Sequence, residues 1–215
     1  LAVIDLFAMG AMSLEPLRQL KRRFPRLGTV AYVSVSAEAA RDLFDAGRAG
    51  MDALIVADQD DLDPASLRAI LEHAEAGGAA GGLRTALAPL RTSARDAVLV
   101  AVTRAHERLT THSLAQVVSQ SRRVLAKQLI AAGLPGPQRL ITWGRLIVAA
   151  HLMEDRERSA DSVAGALHFP SGSAYRNTCQ RYLKATPSEI RSHGGAEWVI
   201  RQMLAKAKLP SALGA

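Results

Sequence analysis

The chain has 215 residues and a formal net charge of +7, with 48% hydrophobic residues but only 4% aromatic ones. This length suits one large domain or two small ones, and the scarcity of aromatic residues argues against an all-β sandwich or barrel. No apolar run reaches the roughly 18 residues of a membrane span, so no membrane partner is expected. A single cysteine, Cys179, excludes an internal disulfide and is typical of a reducing cytoplasm. No Cys/His cluster indicates a metal, and no cofactor is expected.

The charge is divided unevenly along the chain. Residues 1–82 contain 8 Lys and Arg against 12 Asp and Glu, a net −4, whereas residues 83–215 contain 19 against 8, a net +11. A basic half favours a polyanionic partner, although a basic solvated surface gives the same balance. The split predicts a sensing or assembly module followed by a polyanion-binding module.

Residues 1–76 alternate between strand and helix patterns. We expect strands at residues 1–7, 29–35 and 53–56, and helices at residues 13–24, 38–46 and 63–75. Leu43 and Phe44 are expected to face inward, and Asp63 is expected to cap the third helix. Consecutive strand–helix units predict a parallel sheet. Three units make a thin sheet, and the chain begins with Leu inside a buried-type strand, so we expect this α/β module to lack earlier units.

The next segment, residues 77–110, is predicted to connect two domains. The run Gly77-Gly-Ala-Ala-Gly-Gly82 indicates a flexible linker. Apolar residues then recur at three- and four-residue steps over residues 89–108, which predicts an amphipathic connecting helix. Its apolar face could pack on a flanking domain or pair with a second copy of the chain.

Residues 111–193 are predicted to form an all-α domain with two helix-turn-helix units. The first unit pairs helices at residues 113–118 and 121–132, and the second pairs helices at residues 161–167 and 173–183. A long helix over residues 138–154, with Pro137 in its first turn, joins them. Residues 194–215 form a C-terminal helix and tail, so the chain is mostly helical overall.

The second helix of such a unit fits the major groove, and side chains near its N-terminus reach base edges. Arg can form two hydrogen bonds with guanine and Asn can do so with adenine, although each Arg could instead contact a phosphate or solvent. The candidate DNA-binding residues are Ser121, Arg122, Arg123 and Lys127 in the first unit and Ser173, Arg176 and Asn177 in the second.

Several motifs within residues 113–191 resemble the DNA-binding domain of the AraC/XylS family of transcription regulators. They are Ser162-Val-Ala-Gly-Ala-Leu-His-Phe-Pro-Ser-Gly-Ser-Ala-Tyr175, Thr186-Pro-Ser-Glu-Ile-Arg191, and Arg145-Leu146 with Ala149-Ala150 in the long helix. The resemblance implies a bacterial regulator that binds double-stranded promoter DNA and contacts RNA polymerase.

The second unit also departs from the family pattern. His168 and Lys184 stand where the family usually has glycine, Asn177 stands where an arginine is common, and Cys179 stands where an aromatic residue packs. These departures bear on base contacts more than on the fold. We expect Cys179 to pack inside the domain rather than act as a nucleophile.

The α/β module resembles a flavodoxin-like receiver domain of two-component response regulators, from that domain's third strand onward. Asp5 falls at the phosphoacceptor position, and Ser34 or Ser36 falls at the hydroxyl position after the next strand. Ala57-Asp58 follows the last strand where the family has a Lys. The resemblance therefore implies a degenerate receiver with a vestigial phosphoacceptor at Asp5. A homodimer would form through this module or through the connecting helix.

An acidic loop, with Asp58, Asp60, Asp61 and Asp63, could bind a metal, but a solvated loop explains the same pattern. No catalytic arrangement is identifiable, so we expect no enzyme. The sequence predicts a cytoplasmic, sequence-specific DNA-binding transcription regulator that acts at promoters. The alternatives are a protein-interaction adaptor that keeps the helical fold without specific DNA binding, and an α/β enzyme with an attached DNA module.

Overall fold

A computed structural model describes residues 1–5, 14–24, 27–34 and 39–207. The chain divides into two compact units, Leu1–Gly81 and Gly82–Ala215. It is mostly helical with one small parallel sheet, which confirms the predicted combination of an α/β part and a helical part. None of the described helices combines the length and apolar character that a bilayer span requires.

Unit 1 contains the sheet. Its strands are β1 (Ala2–Asp5), β2 (Thr29–Val33) and β3 (Ala53–Val56). Its helices are α1 (Glu15–Arg23), α2 (Ala39–Arg48) and residues 64–81 of α3 (Pro64–Ala86). The strands lie in the order β1-β2-β3 and all pairs are parallel, with Val30 opposite both Val3 and Ala53. The parallel sheet is therefore as predicted.

Both faces of the sheet are covered by helices. On one face Ala31 and Val33 pack with Ala46 of α2, and on the other Val30 and Ile55 pack with Ala74 of α3. Burial on both faces explains why the central strand β2 is apolar without alternation, whereas the edge strand β1 is partly exposed, with Val3 55% exposed.

The prediction that Phe44 faces inward is wrong. Leu43 packs against the sheet, but the side chain of Phe44 is 67% exposed. Neighbouring positions on an α-helix point about 100° apart, and Leu43 and Ala46 already occupy the side of α2 that faces the sheet.

The predicted flexible linker at residues 77–82 is also wrong, because α3 continues through it to Ala86. The helix begins as expected at Asp63, whose carboxylate accepts hydrogen bonds from the amides of Ala65 and Ser66. Glycine costs a helix about 1 kcal/mol relative to alanine, but here it serves close packing. A Cβ atom on Gly77 would lie 2.9 Å from Oδ1 of Asp52.

Unit 2 is built from eight described helices. They are α4 (Thr92–Thr103), α5 (Thr111–Val117), α6 (Arg122–Ala131), α7 (Pro137–Leu152), α8 (Ala160–Ala166), α9 (Gly172–Leu183), α10 (Pro187–Ser192) and α11 (Gly195–Lys206). The helix at Pro187–Ser192 was not predicted, while the five helices before it begin and end within two residues of their predicted bounds. Helix α7 is the centre of the unit, since α4, α5, α6, α8, α10 and α11 all pack against it. Ten of its sixteen residues are buried.

The connecting helix belongs to the fold of unit 2. Its helical part, α4, is shorter than the predicted 89–108 and lies against α7. Its buried residues are Ala94, Ala97, Val98, Ala101 and Val102. The contact is close because Gly144 of α7 has no side chain: a Cβ atom there would lie 2.0 Å from the carbonyl oxygen of Ala101. Of the two alternatives for this apolar face, the structure shows internal packing.

Candidate nucleic-acid interface

Unit 2 contains two short helix pairs, α5/α6 and α8/α9, that share one local design. Helices α5 and α8 each have seven residues and each begins after a capping hydroxyl. The Thr110 side chain accepts from the amide of Ser113, and the Ser159 side chain accepts from the amide of Ser162. The sequence positions of these caps differ by 49 residues.

The turns inside the two pairs match as well. Ser119 and His168, again 49 positions apart, have φ angles of 53° and 54°. The next amide in each turn donates back across it, from Gln120 to the Ala115 carbonyl at 2.9 Å and from Phe169 to the Ala164 carbonyl at 2.8 Å. A left-handed residue with this bond ends a helix sharply and redirects the chain. The two pairs are therefore a structural repeat.

The second helices of the pairs, α6 and α9, are both capped by serine. The Ser121 hydroxyl accepts from the amide of Val124 at 3.3 Å, and the Ser171 hydroxyl accepts from the amide of Ala174 at 3.1 Å. Sequence reasoning missed Ser171 as a cap, because it predicted the second helix of the α8/α9 pair to begin at residue 173.

Each second helix has an apolar side that faces the unit. Leu125 and Leu129 of α6 are buried, as are Tyr175 and Cys179 of α9. Burial raises the pKa of the Cys179 thiol to about 11. The prediction that Cys179 packs inside the domain is confirmed.

All seven predicted DNA-binding side chains are exposed. Arg122 and Arg123 occupy the first turn of α6, and Lys127 lies one turn further along. None of the ion pairs found among the described residues involves these three cations. Their positive charges are thus available to a partner.

The predicted DNA-binding residues on α9 include fewer basic side chains than those on α6. Ser173, Arg176 and Asn177 lie in its first two turns, and Nη2 of Arg176 donates to the Ser173 hydroxyl at 3.4 Å. The first amide of α9, that of Gly172, donates to Oδ1 of Asp161 in α8 at 3.1 Å. This bond connects the two helices of the pair and places a carboxylate beside the N-terminus of α9.

His168 connects the second pair to the rest of unit 2. Its Nε2 atom lies 2.9 Å from the carbonyl oxygen of His106, which follows α4. The neighbouring Phe169 ring packs on Tyr175, with centroids 5.2 Å apart. The His168 side chain therefore contacts a residue outside the second helix pair.

The carboxyl edge of the sheet in unit 1 carries the proposed receiver-like residues. Asp5 is exposed at the end of β1, and Ser34 follows β2, while Ser36 lies outside the described residues. Asp58 follows β3 in a left-handed conformation with φ of 60°. Tyr32, opposite Asp5 in the register, donates to Oδ2 of Asp61 at 2.7 Å, and this bond raises the pKa of Tyr32.

The acidic loop after β3 uses its carboxylates locally. Oδ2 of Asp60 accepts from the amide of Val56 at 2.8 Å, Asp61 accepts from Tyr32, and Asp63 caps α3. Within the described part of the chain no group of three or more His, Cys, Asp or Glu residues is arranged to hold a metal ion. The carboxylates of Asp60, Asp61 and Asp63 therefore each accept a hydrogen bond from nearby backbone or side-chain groups.

Comparisons with protein-family models, with curated proteins and with solved structures find no match to this chain.

Proposed function

We propose that this chain is a sequence-specific DNA-binding transcription regulator whose unit 2 carries two helix-turn-helix units of the AraC/XylS type. The observation that carries the proposal is the repeat itself. Two helix pairs have the same first-helix length, the same left-handed turn and the same serine cap on an exposed second helix. One pair alone is a common arrangement; two held by α7 suit two successive major grooves.

The departures from the family pattern support the resemblance at the level of the backbone. His168 and Lys184, which stand where glycine is usual, have φ angles of 54° and 56°. This left-handed region is the one that glycine adopts at least cost. The residue types differ, but the backbone keeps the conformation that favours glycine at both places.

The two second helices, α6 and α9, are proposed to make different contacts with DNA. Arg122, Arg123 and Lys127 on α6 supply positive charge for phosphates and guanine edges. On α9 the first amide already donates to the carboxylate of Asp161, so we do not assign a phosphate to the N-terminus of this helix. We assign base reading on α9 to Asn177.

Unit 1 is proposed to act as a degenerate, receiver-like assembly module without enzymatic activity. The parallel sheet and the exposed Asp5 at its carboxyl edge support the likeness. The residue after Ala57 is an acid, Asp58, where phosphoryl chemistry needs a cation. Homodimer formation through this module, contact with RNA polymerase and a cytoplasmic location complete the proposal.

The test starts with selection of binding sites by the full chain from a random double-stranded DNA library. Affinities for the enriched site and for its scrambled version are then measured by fluorescence anisotropy across a salt series. Log affinity should fall with log salt by roughly 0.9 per phosphate neutralised. Replacing both Arg122 and Arg123 with Ala should reduce that slope by up to roughly 2, while Arg156→Ala, an exposed arginine after α7, is the control and should leave it unchanged.

A preference of about a thousandfold for the enriched site is expected of a specific regulator. Salt-dependent binding without preference would favour the adaptor, which keeps the fold and the basic surface only. Absence of binding would contradict the proposal.

A further inference from the structure

Unit 2 contains a cavity of about 510 Å³ whose lining includes none of the predicted DNA-binding residues. The start of α7, the end of α9, the end of α11 and the turn after α6 surround it. Its volume lies within the range of roughly 300–1,000 Å³ that is typical of small-molecule sites. The lining residues are Gly133, Leu134, Pro135, Arg139, Trp143, Arg181, Tyr182, Met203 and Lys206.

The apolar wall of the cavity is aromatic and well held. Trp143 is 3% exposed, and its ring meets Tyr182 edge to face with centroids 5.6 Å apart. Met203 is also buried. Edge-to-face pairs hold each other in place, so the almost fully buried Trp143 fixes the half-buried Tyr182 ring, which presents the larger part of the apolar surface.

The charged side chains that line the cavity are all cationic. Arg139, Arg181 and Lys206 line the cavity, and its lining includes no Asp or Glu. None of the ion pairs found among the described residues uses these three side chains. Three uncompensated positive charges around one cavity favour an anionic ligand.

Two of the cations are positioned by the aromatic wall itself. Nζ of Lys206 donates to the Tyr182 carbonyl and lies 5.3 Å from the centroid of Trp143. The guanidinium carbon of Arg181 lies 5.2 Å from the centroid of the Tyr182 ring. Cation–π contacts at such distances are favourable, so charge and ring surface are presented together.

The rim of the cavity depends on one glycine. Gly133 ends the turn after α6 with φ of 74°, and a Cβ atom there would lie 2.7 Å from the carbonyl oxygen of Ala207. The conformation and the close approach both need glycine. The turn is thus fixed against the end of α11.

We propose that this cavity binds a small organic anion with a planar apolar body, of the aromatic carboxylate class. The carboxylate would pair with Arg181, Lys206 or Arg139, and the planar body would lie against Trp143 and Tyr182. An inorganic anion would use the cations but leave the rings unused. The inference goes beyond DNA binding and does not depend on it, although Arg181 and Tyr182 belong to the same helix as Asn177.

The test is calorimetric titration of the full chain with three probes: 2-naphthoate, the neutral 2-naphthalenemethanol and inorganic phosphate. We expect saturable one-site binding of 2-naphthoate, at least tenfold tighter than binding of either other probe. The indole N–H signals of the two tryptophans give a second readout, because Trp143 should shift on binding while Trp198, outside the cavity lining, should not. A Trp198→Phe variant assigns the two signals.

The cations are tested by Arg181→Gln and Lys206→Gln, with Arg156→Gln as the control of equal charge change outside the cavity. Each cavity variant should weaken 2-naphthoate binding at least fivefold, and the control should not. Should either variant fail to fold, Arg139→Gln carries the same expectation.

Three results would overturn the proposal. Equal binding of phosphate would indicate a simple anion or DNA-phosphate site, equal binding of the alcohol would show that the charges are unused, and no binding of 2-naphthoate would show that the cavity takes no such ligand.

Discussion

Replacement of Gly144 by alanine should separate α4 from α7, whose contact is one of the two most extensive helix contacts of unit 2. A Cβ atom at this position would lie 2.0 Å from the carbonyl oxygen and 2.5 Å from the carbonyl carbon of Ala101. Both atoms belong to the backbone of a buried helix, so no side-chain rotation relieves the clash. The helices must move apart.

The size of the effect follows from that displacement. Contacts of a Cβ atom below 3.0 Å are essentially never found, so the gap must open by at least about 1 Å. An opening of this size forfeits a quarter to a half of the attractive energy of the separated atoms. Overpacking typically costs about 1–3 kcal/mol, and a rigid backbone contact places Gly144→Ala at about 3 kcal/mol or above.

Thermal unfolding followed by tryptophan fluorescence measures this, because both tryptophans, Trp143 and Trp198, lie in unit 2. At about 2–4 °C per kcal/mol for a chain of this size, Gly144→Ala should lower Tm by roughly 6–12 °C. The matched control is Gly165→Ala, since a Cβ atom on Gly165 in α8 meets nothing within 4 Å. That change should be neutral or stabilising by up to about 1 kcal/mol.

Equal Tm values for the two alanine variants would refute the packing argument, because only the clash with Ala101 distinguishes them. A Tm of Gly144→Ala within about 2 °C of the original chain would do the same, since it corresponds to no more than about 1 kcal/mol.

Three further predictions concern other parts of the chain. Burial raises the pKa of Cys179 from 9.0 to about 11, so a disulfide reagent at pH 8 should modify the thiol no faster than the chain unfolds. The free energy of unfolding should fall as pH rises from 9 to 11. Rapid modification of the folded chain would contradict this prediction. Thr186→Ala should cost about 1 kcal/mol in urea unfolding. The amide and hydroxyl of Thr186 lower the pKa of Glu189. The stabilisation by the capping box is therefore present above the ordinary Glu pKa and is lost as pH falls through the lowered pKa of Glu189. An unchanged dependence of stability on acid pH in the variant would argue against the capping box. Lys21→Met removes the cation that lies 2.6 Å from the nearly buried Asp52 carboxylate, and it should destabilise unit 1 by about 3 kcal/mol. Hydrogen exchange of the β2 amides measures this loss. Unchanged exchange would show that the ion pair contributes little to stability.

The sequence predicted most of the helices in unit 2 because their apolar residues repeat at helical spacing. The buried residues of α7 include Leu140, Ile141, Leu146 and Ile147, and its Pro137 lies in the first turn as expected. The exposure of the candidate DNA-binding residues followed from the same periodicity, since a helix packed on one side leaves the other to solvent.

Features that depend on contacts between distant residues could not be predicted in this way. The glycines of residues 77–82 have the composition of a linker, and only the close approach of Gly77 to Asp52 shows why one of them suits a helix. The cationic cavity escaped notice because Arg139, Arg181 and Lys206 come from three helices, and no local pattern joins them.

The central claim, that two helix pairs read DNA, is tested most directly by methylation interference at guanine N7 on the selected site with the full chain. N7 lies in the major groove, so each reading helix should produce its own group of sensitive guanines. We predict two groups about one helical turn, or 10 base pairs, apart on one face of the duplex. Arg176→Ala, which removes the candidate guanine-contacting side chain of α9, should weaken the group assigned to α9 and spare the other. A single group that Arg176→Ala leaves unchanged, or no interference at all, would contradict the account.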